Sequence, residues 1–240
     1  MKDGLIDTIK SRGYWRINFQ PLVDRTQLSS LGECLEIVQR SAVKFRGWDY
    51  PHIPVRNDVY GGLVLADNHY IGWTDWFQFK EFWHMYLSGQ FLHYLALRED
   101  WDRENFAKRG WTEIETIAPG KLLDYVGGLT YQLTEVFQFL GRLAAANIYN
   151  EGVRVSISLH NTKDRRLWTE IVFRIPLMGE YITPLPDIRF EGHYSREQVV
   201  ATPKELAEQA IVHFIDRFRW HKPNLEMIRQ DQENLLSGRA

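Results

Sequence analysis

The densest run of groups able to do chemistry is Arg46-Gly47-Trp48-Asp49-Tyr50-Pro51-His52. A guanidinium grips an anion through parallel hydrogen bonds, and an imidazole beside a carboxylate moves a proton near neutral pH. Arg46, Asp49 and His52 are therefore candidate binding residues. A structural role competes with that one: Arg46 and Asp49 pair to anchor a loop, Trp48 packs and Pro51 fixes a turn, the commoner use of polar groups near strand ends.

Arg154, His160, Lys163, Arg165 and Arg166 gather later, with Trp168 close by. Carried on the polar face and turn of a hairpin, they form a cationic ridge suited to phosphates, so Arg154, His160, Arg165 and Arg166 are candidate nucleic-acid contacts. Asp164 and Glu170 dilute the charge, as they would in an ordinary solvated turn. His84 and His93 fall on the two arms of an earlier expected hairpin. A shared metal needs a third ligand, and none stands at a recognisable spacing, so hydrogen-bonded core histidines and no metal are expected. The same reasoning covers Asp67 and His69.

Standard catalytic signatures are missing: no GxxxxGK[ST], no GxGxxG after a strand, no HExxH, no GxSxG and no EF-hand loop. Catalytic residues are therefore not assigned, and no cofactor is expected. The groups a rival metal-dependent hydrolase or nuclease would have to use are Asp49, His52, His84, His93 and Glu170.

The chain has 240 residues, 44% hydrophobic and 25% charged, which suits one large domain, with Trp101 to Gly120 as the place for any internal boundary. A net charge of −2 gives no global attraction to nucleic acid or an anionic bilayer, leaving only local patches. The single cysteine, Cys34, lies on the apolar side of an expected helix and suits a buried thiol in a reducing compartment. No run approaches the roughly 18 apolar residues of a membrane span, so a cytoplasmic protein that does not engage a membrane is expected. Aromatic residues make up 14%, with nine Trp, so a self-associating subunit with an aromatic interface is a third alternative.

Alternating residues predict a strand over Tyr14–Gln20, and Ser30 with Glu33 a capping box opening a helix to about Arg40. A strand is expected over Val43–Trp48, mainly loop with brief strands over Asp49–Asp75, and a hairpin of Phe79–Leu87 with Phe91–Leu97 turning at Gly89, with a helix starting near Ser88 as the alternative. One long helix is read over Leu123–Asn147, then a hairpin of Val153–His160 with Leu167–Ile175. Thr202, Pro203 and Glu205 open a helix to about Arg219, and Pro223 opens a last one. The sum is an α+β fold, an antiparallel or mixed sheet with helices packed mainly on one side.

Read in order, "SAVKFRGWDYPHI" (41–53), "HMYLSGQFLHYLALRED" (84–100), "LTEVFQFLGRLA" (133–144) and "TPKELAEQAIVHFIDRFRW" (202–220) resemble a bacterial region that accompanies Schlafen/AlbA-type DNA-binding domains. The resemblance spans about Tyr14 to Asn234. The Schlafen/AlbA-type domain itself is not evident, so the resemblance assigns no catalytic residue; it implies a module beside a nucleic-acid or defence-related partner. The expected function is a non-enzymatic binding or regulatory module, using the Arg46–His52 loop and the Arg154–Arg166 hairpin, with a protein partner, a second copy or nucleic acid as its counterpart.

Overall fold

The computed structural model describes residues 2–23, 26–101, 118–169, 177 and 179–239. Its centre is a seven-stranded antiparallel sheet in the order β2-β3-β4-β5-β1-β7-β9. The strands are β1 Tyr14–Pro21, β2 Gly61–Leu65, β3 His69–Trp76, β4 Phe79–Tyr86, β5 Phe91–Ala96, β7 Val153–His160 and β9 Asp187–Tyr194. Two short strands, β6 Leu122–Asp124 and β8 Arg166–Trp168, pair in parallel beside it.

Strict alternation puts β1 in the middle. Trp15, Ile17 and Phe19 are fully buried on one face, while Arg16 and Asn18 point the other way. The buried face meets α2 (Leu31–Ser41), α3 (Gln132–Ala145) and α5 (Pro203–Arg217), with Trp15 edge-on to Phe214 at 5.0 Å. Helices α4 (Arg196–Ala201) and α6 (Leu225–Leu236) close this layer. Among the described residues only α1 (Leu5–Lys10) lies on the opposite face, where Leu5 and Ile9 cover Trp73 and Phe82. The α+β reading and the one-sided helix layer hold, and among the described residues no helix is long and apolar enough to cross a membrane.

The Phe79–Leu97 hairpin forms with Gly89 at φ 84°, and α2 is capped by Ser30, which accepts from the Glu33 backbone N–H at 3.1 Å. Elsewhere tertiary contacts override local pattern. Val43–Trp48 is not a strand. Only Val43 bridges, to Tyr50: Gly47 at φ 74° reverses the chain, and the part-exposed Arg46 side chain reaches across to Glu135 of α3. The stretch expected to be mainly loop contains all of β2 and nearly all of β3; Gly72 serves close packing there, since a Cβ would lie 2.3 Å from the Trp83 ring.

The expected helix over Leu123–Asn147 starts as β6 and passes through a π-helical stretch, Tyr125–Tyr131, before α3. Asp124 caps that stretch, accepting from Val126 and Gly127 N–H. Residues 166–168 do not pair back on β7; they pair with β6, and on the side away from β1 the neighbour of β7 is β9, hidden in the sequence by Pro184 and Pro186. The rest of that expected arm, 170–175 with Glu170, lies outside the described residues, as does most of the segment named as an internal boundary. Helix α5 begins at Pro203 as expected, but the Thr202 hydroxyl donates to Gln198 O instead of capping it.

Candidate functional site

Alternation along β4 turns Glu81 into the helix-facing core, where it is 2% exposed. A buried carboxylate is costly unless its lone pairs are used. Glu81 accepts from His93 Nε2 at 2.8 Å, Trp48 Nε1 at 3.2 Å and the His52 backbone N–H at 3.3 Å. Burial works to raise its pKa, but the bond to His93, the nearby imidazoles and Trp48 outweigh burial and hold it below the usual carboxylate range. His93 Nδ1 lies 3.2 Å from the Tyr50 hydroxyl, whose own pKa is raised by burial and by Glu81 and Glu135.

A second buried carboxylate, Glu135 of α3, faces the same space. Arg46 Nε donates to its Oε1 at 3.0 Å, Nη2 meets Oε2, and Nη1 donates to Gly127 O at 2.9 Å. This fork pins the 44–52 loop to α3. Burial raises the Glu135 pKa and Arg46 opposes the rise.

A third carboxyl, half-buried, is Glu99, in the 3-10 turn Arg98–Asp100 after β5. Its Oε1 accepts from the Asp124 N–H at 2.8 Å. Burial, then the charge of Asp124, push its carboxyl up to about 7, with Arg98 opposing. Gly128 makes room: a Cβ there would sit 2.2 Å from Glu99 Oε1. Single π-helical turns inside helices recur at functional sites, and this one is shaped around a carboxyl.

Between these elements lies a cavity of about 170 Å³ lined by Arg46, Glu81, Glu99, Gln132 and Glu135, with walls from Trp15, Trp48 and Phe79. Trp48 stacks on His52 at 3.9 Å and on Phe79 at 4.2 Å. Two donors on the lining residues, Gln132 Nε2 and Trp15 Nε1, are buried without a hydrogen-bond partner among the described residues. Such orphans are rare, because each forfeits about 1–3 kcal/mol of hydration.

Arg46 and Asp49 therefore do line one site, with Asp49 paired to Lys44 at 3.3 Å. His52 contributes its backbone and a stacked ring. His84 and His93 are on opposite faces of the sheet: His84 stacks on His69 at 4.7 Å, and burial, then His69, push it down to about 4. Among the described residues no three His, Cys, Asp or Glu converge as metal ligands would.

The later basic residues do not form one ridge. Arg165 is fully buried in an ion pair with Asp100. Arg154 is exposed and bonded to His193 at 3.0 Å, His160 pairs with Asp187 at 2.9 Å, and Arg166 is half-buried on β8. Glu81, Glu99, Gln132 and Glu135 escaped sequence reasoning. Their signal was a charged or amide residue at positions the apolar pattern assigns to the core.

No family model, no curated protein and no solved structure matches this chain significantly.

Proposed function

We propose that this chain is a non-enzymatic binding module whose ligand occupies the cavity between β4, the 44–52 loop and α3. One observation carries the reading: the carboxylates of the cavity are already matched by Arg46, His93 and backbone N–H groups, whereas the Gln132 amide and Trp15 indole are left unmatched. A ligand that supplies acceptors completes the site, which is how concave sites with a few placed polar groups select small molecules.

The test is a fragment screen followed on the indole N–H resonances of Trp15 and Trp48, assigned by Trp→Phe variants. Binders are expected to move both signals in the wild type and to lose at least tenfold in affinity in Gln132→Leu. A screen in which neither signal moves would sink the reading.

A specific observation also favours nucleic-acid association, through the sheet face away from α3. There Arg16, Arg154 and Arg189 stand among Asn18, Ser156 and Ser158 in register, and Tyr14 stacks between His160 at 4.5 Å and Tyr94 at 6.0 Å. Stacking rings with guanidinium groups bind single strands without reading sequence, though Asp187 and Glu191 on β9 oppose it. Fluorescence titration with single- and double-stranded DNA and RNA should give binding to single strands that weakens between about 50 and 200 mM salt and is lost in an Arg16→Glu, Arg154→Glu variant. Salt-independent binding, or none, removes this part.

A further inference from the structure

Resting on the cavity reading, we infer that the ligand is an uncharged polyhydroxy compound of monosaccharide size. Charge excludes the alternatives first. An anion would enter among Glu81, Glu135 and Asp49, and the Arg46 fork is already engaged with Glu135 and Gly127 O. An ammonium would have to displace partners already in place, since Glu135 is held by Arg46, Asp49 by Lys44, Glu81 by three donors and Glu99 by the Asp124 N–H. Burying a further net charge there carries a desolvation penalty that a neutral polar molecule escapes.

Hydrogen-bond capacity then selects hydroxyl groups, because a hydroxyl both donates and accepts. On the donor side stand Gln132 Nε2, on a residue 8% exposed, and Trp15 Nε1. Glu99 adds a third donor while protonated; Asp124, Arg98 and the Asp124 N–H are the groups that act on its proton. On the acceptor side, a carboxylate offers about four lone-pair positions, of which Glu81 uses three and Glu135 two, leaving room for ligand O–H groups. A ketone or amide ring would satisfy the first set and waste the second.

Size and walls agree. The cavity of about 170 Å³ is smaller than the roughly 300–1,000 Å³ of sites for drug-sized ligands, too small for a nucleotide chain. Apolar wall comes from the edges of Trp48 and Phe79, whose faces stack on each other, and from Leu95 and Leu97, which together give the C–H groups of a ring a surface to pack on.

The same two indole resonances read the experiment. Wild type and Gln132→Leu are titrated with glucose, galactose, mannose and ribose, and with glucosamine and glucuronate as charged counterparts of the same shape. The expected result is that at least one neutral sugar moves both signals, binds at least tenfold tighter than its charged counterpart, and loses that affinity in Gln132→Leu. Should that variant fail to fold, Phe79→Ala at the half-buried rim takes its place. Tighter binding of glucosamine or glucuronate overturns the ligand class, as does a result in which other fragments fill the cavity and no sugar does; both leave the cavity reading standing. If neither sugars nor fragments move the signals, the cavity reading itself has failed.

Discussion

Arg165 and Asp100 form a two-pronged ion pair with neither side chain exposed: Nη1 lies 2.9 Å from Oδ1, and Nη2 contacts Oδ2. Asp100 also accepts from Gly13 N–H at 2.8 Å and Gly120 N–H at 2.7 Å, and Arg165 donates to the carbonyls of Leu122 and Asn161. The pair thus ties the start of β1, the end of β5, β6 and the turn after β7 to one point.

Removing one partner leaves the other charged and buried. Asp100→Ala or Arg165→Met is expected to lower stability by about 3–5 kcal/mol, with the double variant less damaged than the two losses added together. Urea unfolding of the three proteins measures this, and a single-variant loss under about 1 kcal/mol would show the pair to be dispensable.

Gly128→Ala places a methyl group on Glu99 Oε1. The expected cost is about 1–3 kcal/mol, from pushing the carboxyl out of its bond to Asp124 N–H. Truncating Glu99 to Ala in the same chain should recover at least about 1 kcal/mol of it, because the clash and its cause are one contact. Additive losses in the double variant would refute that contact.

The Glu99 carboxyl, raised from 4.5 to about 7 by burial and Asp124, gives a pH dependence of definite sign. Between those values the folded chain keeps a proton that the unfolded chain releases, so stability falls as pH rises through the window and levels off above it. The loss attributable to this group reaches up to about 3 kcal/mol, and Glu99→Gln should abolish it, making the variant the more stable protein at about pH 8. Unfolding curves of both proteins across about pH 4–8 decide; parallel curves would mean Glu99 titrates normally.

Cys34 is fully buried in α2 and its thiol is pushed up to about 11, first by burial and then by Glu33. A disulfide reagent at neutral pH should therefore label the native protein no faster than it unfolds, since the thiolate is the reactive form. Rapid stoichiometric labelling of folded protein would contradict this burial.

Much of the scaffold was legible because its signals are local. Trp15, Ile17 and Phe19, and Val153, Val155 and Ile157, alternate with polar residues, so side-chain geometry alone makes them strands with one buried face. Ser30 at the start of α2 and Pro203 at the start of α5 mark helix ends through groups within one turn, and the α+β class with a one-sided helix layer follows from such pieces.

The site was decided by tertiary structure. Arg46 stood out in the sequence as a candidate binding residue, but its partner Glu135 stands 89 residues away, and Glu81 meets His93 only because β4 and β5 pair in one register. The strand expected around Arg46 gave way because a bidentate ion pair with the buried Glu135 carboxylate outweighs a weak strand propensity. Arg165 shows the same limit. Sequence registers a positive charge in a turn, whereas burial against Asp100 depends on which distant backbone the fold brings across it, and that is set by the packing of the whole chain.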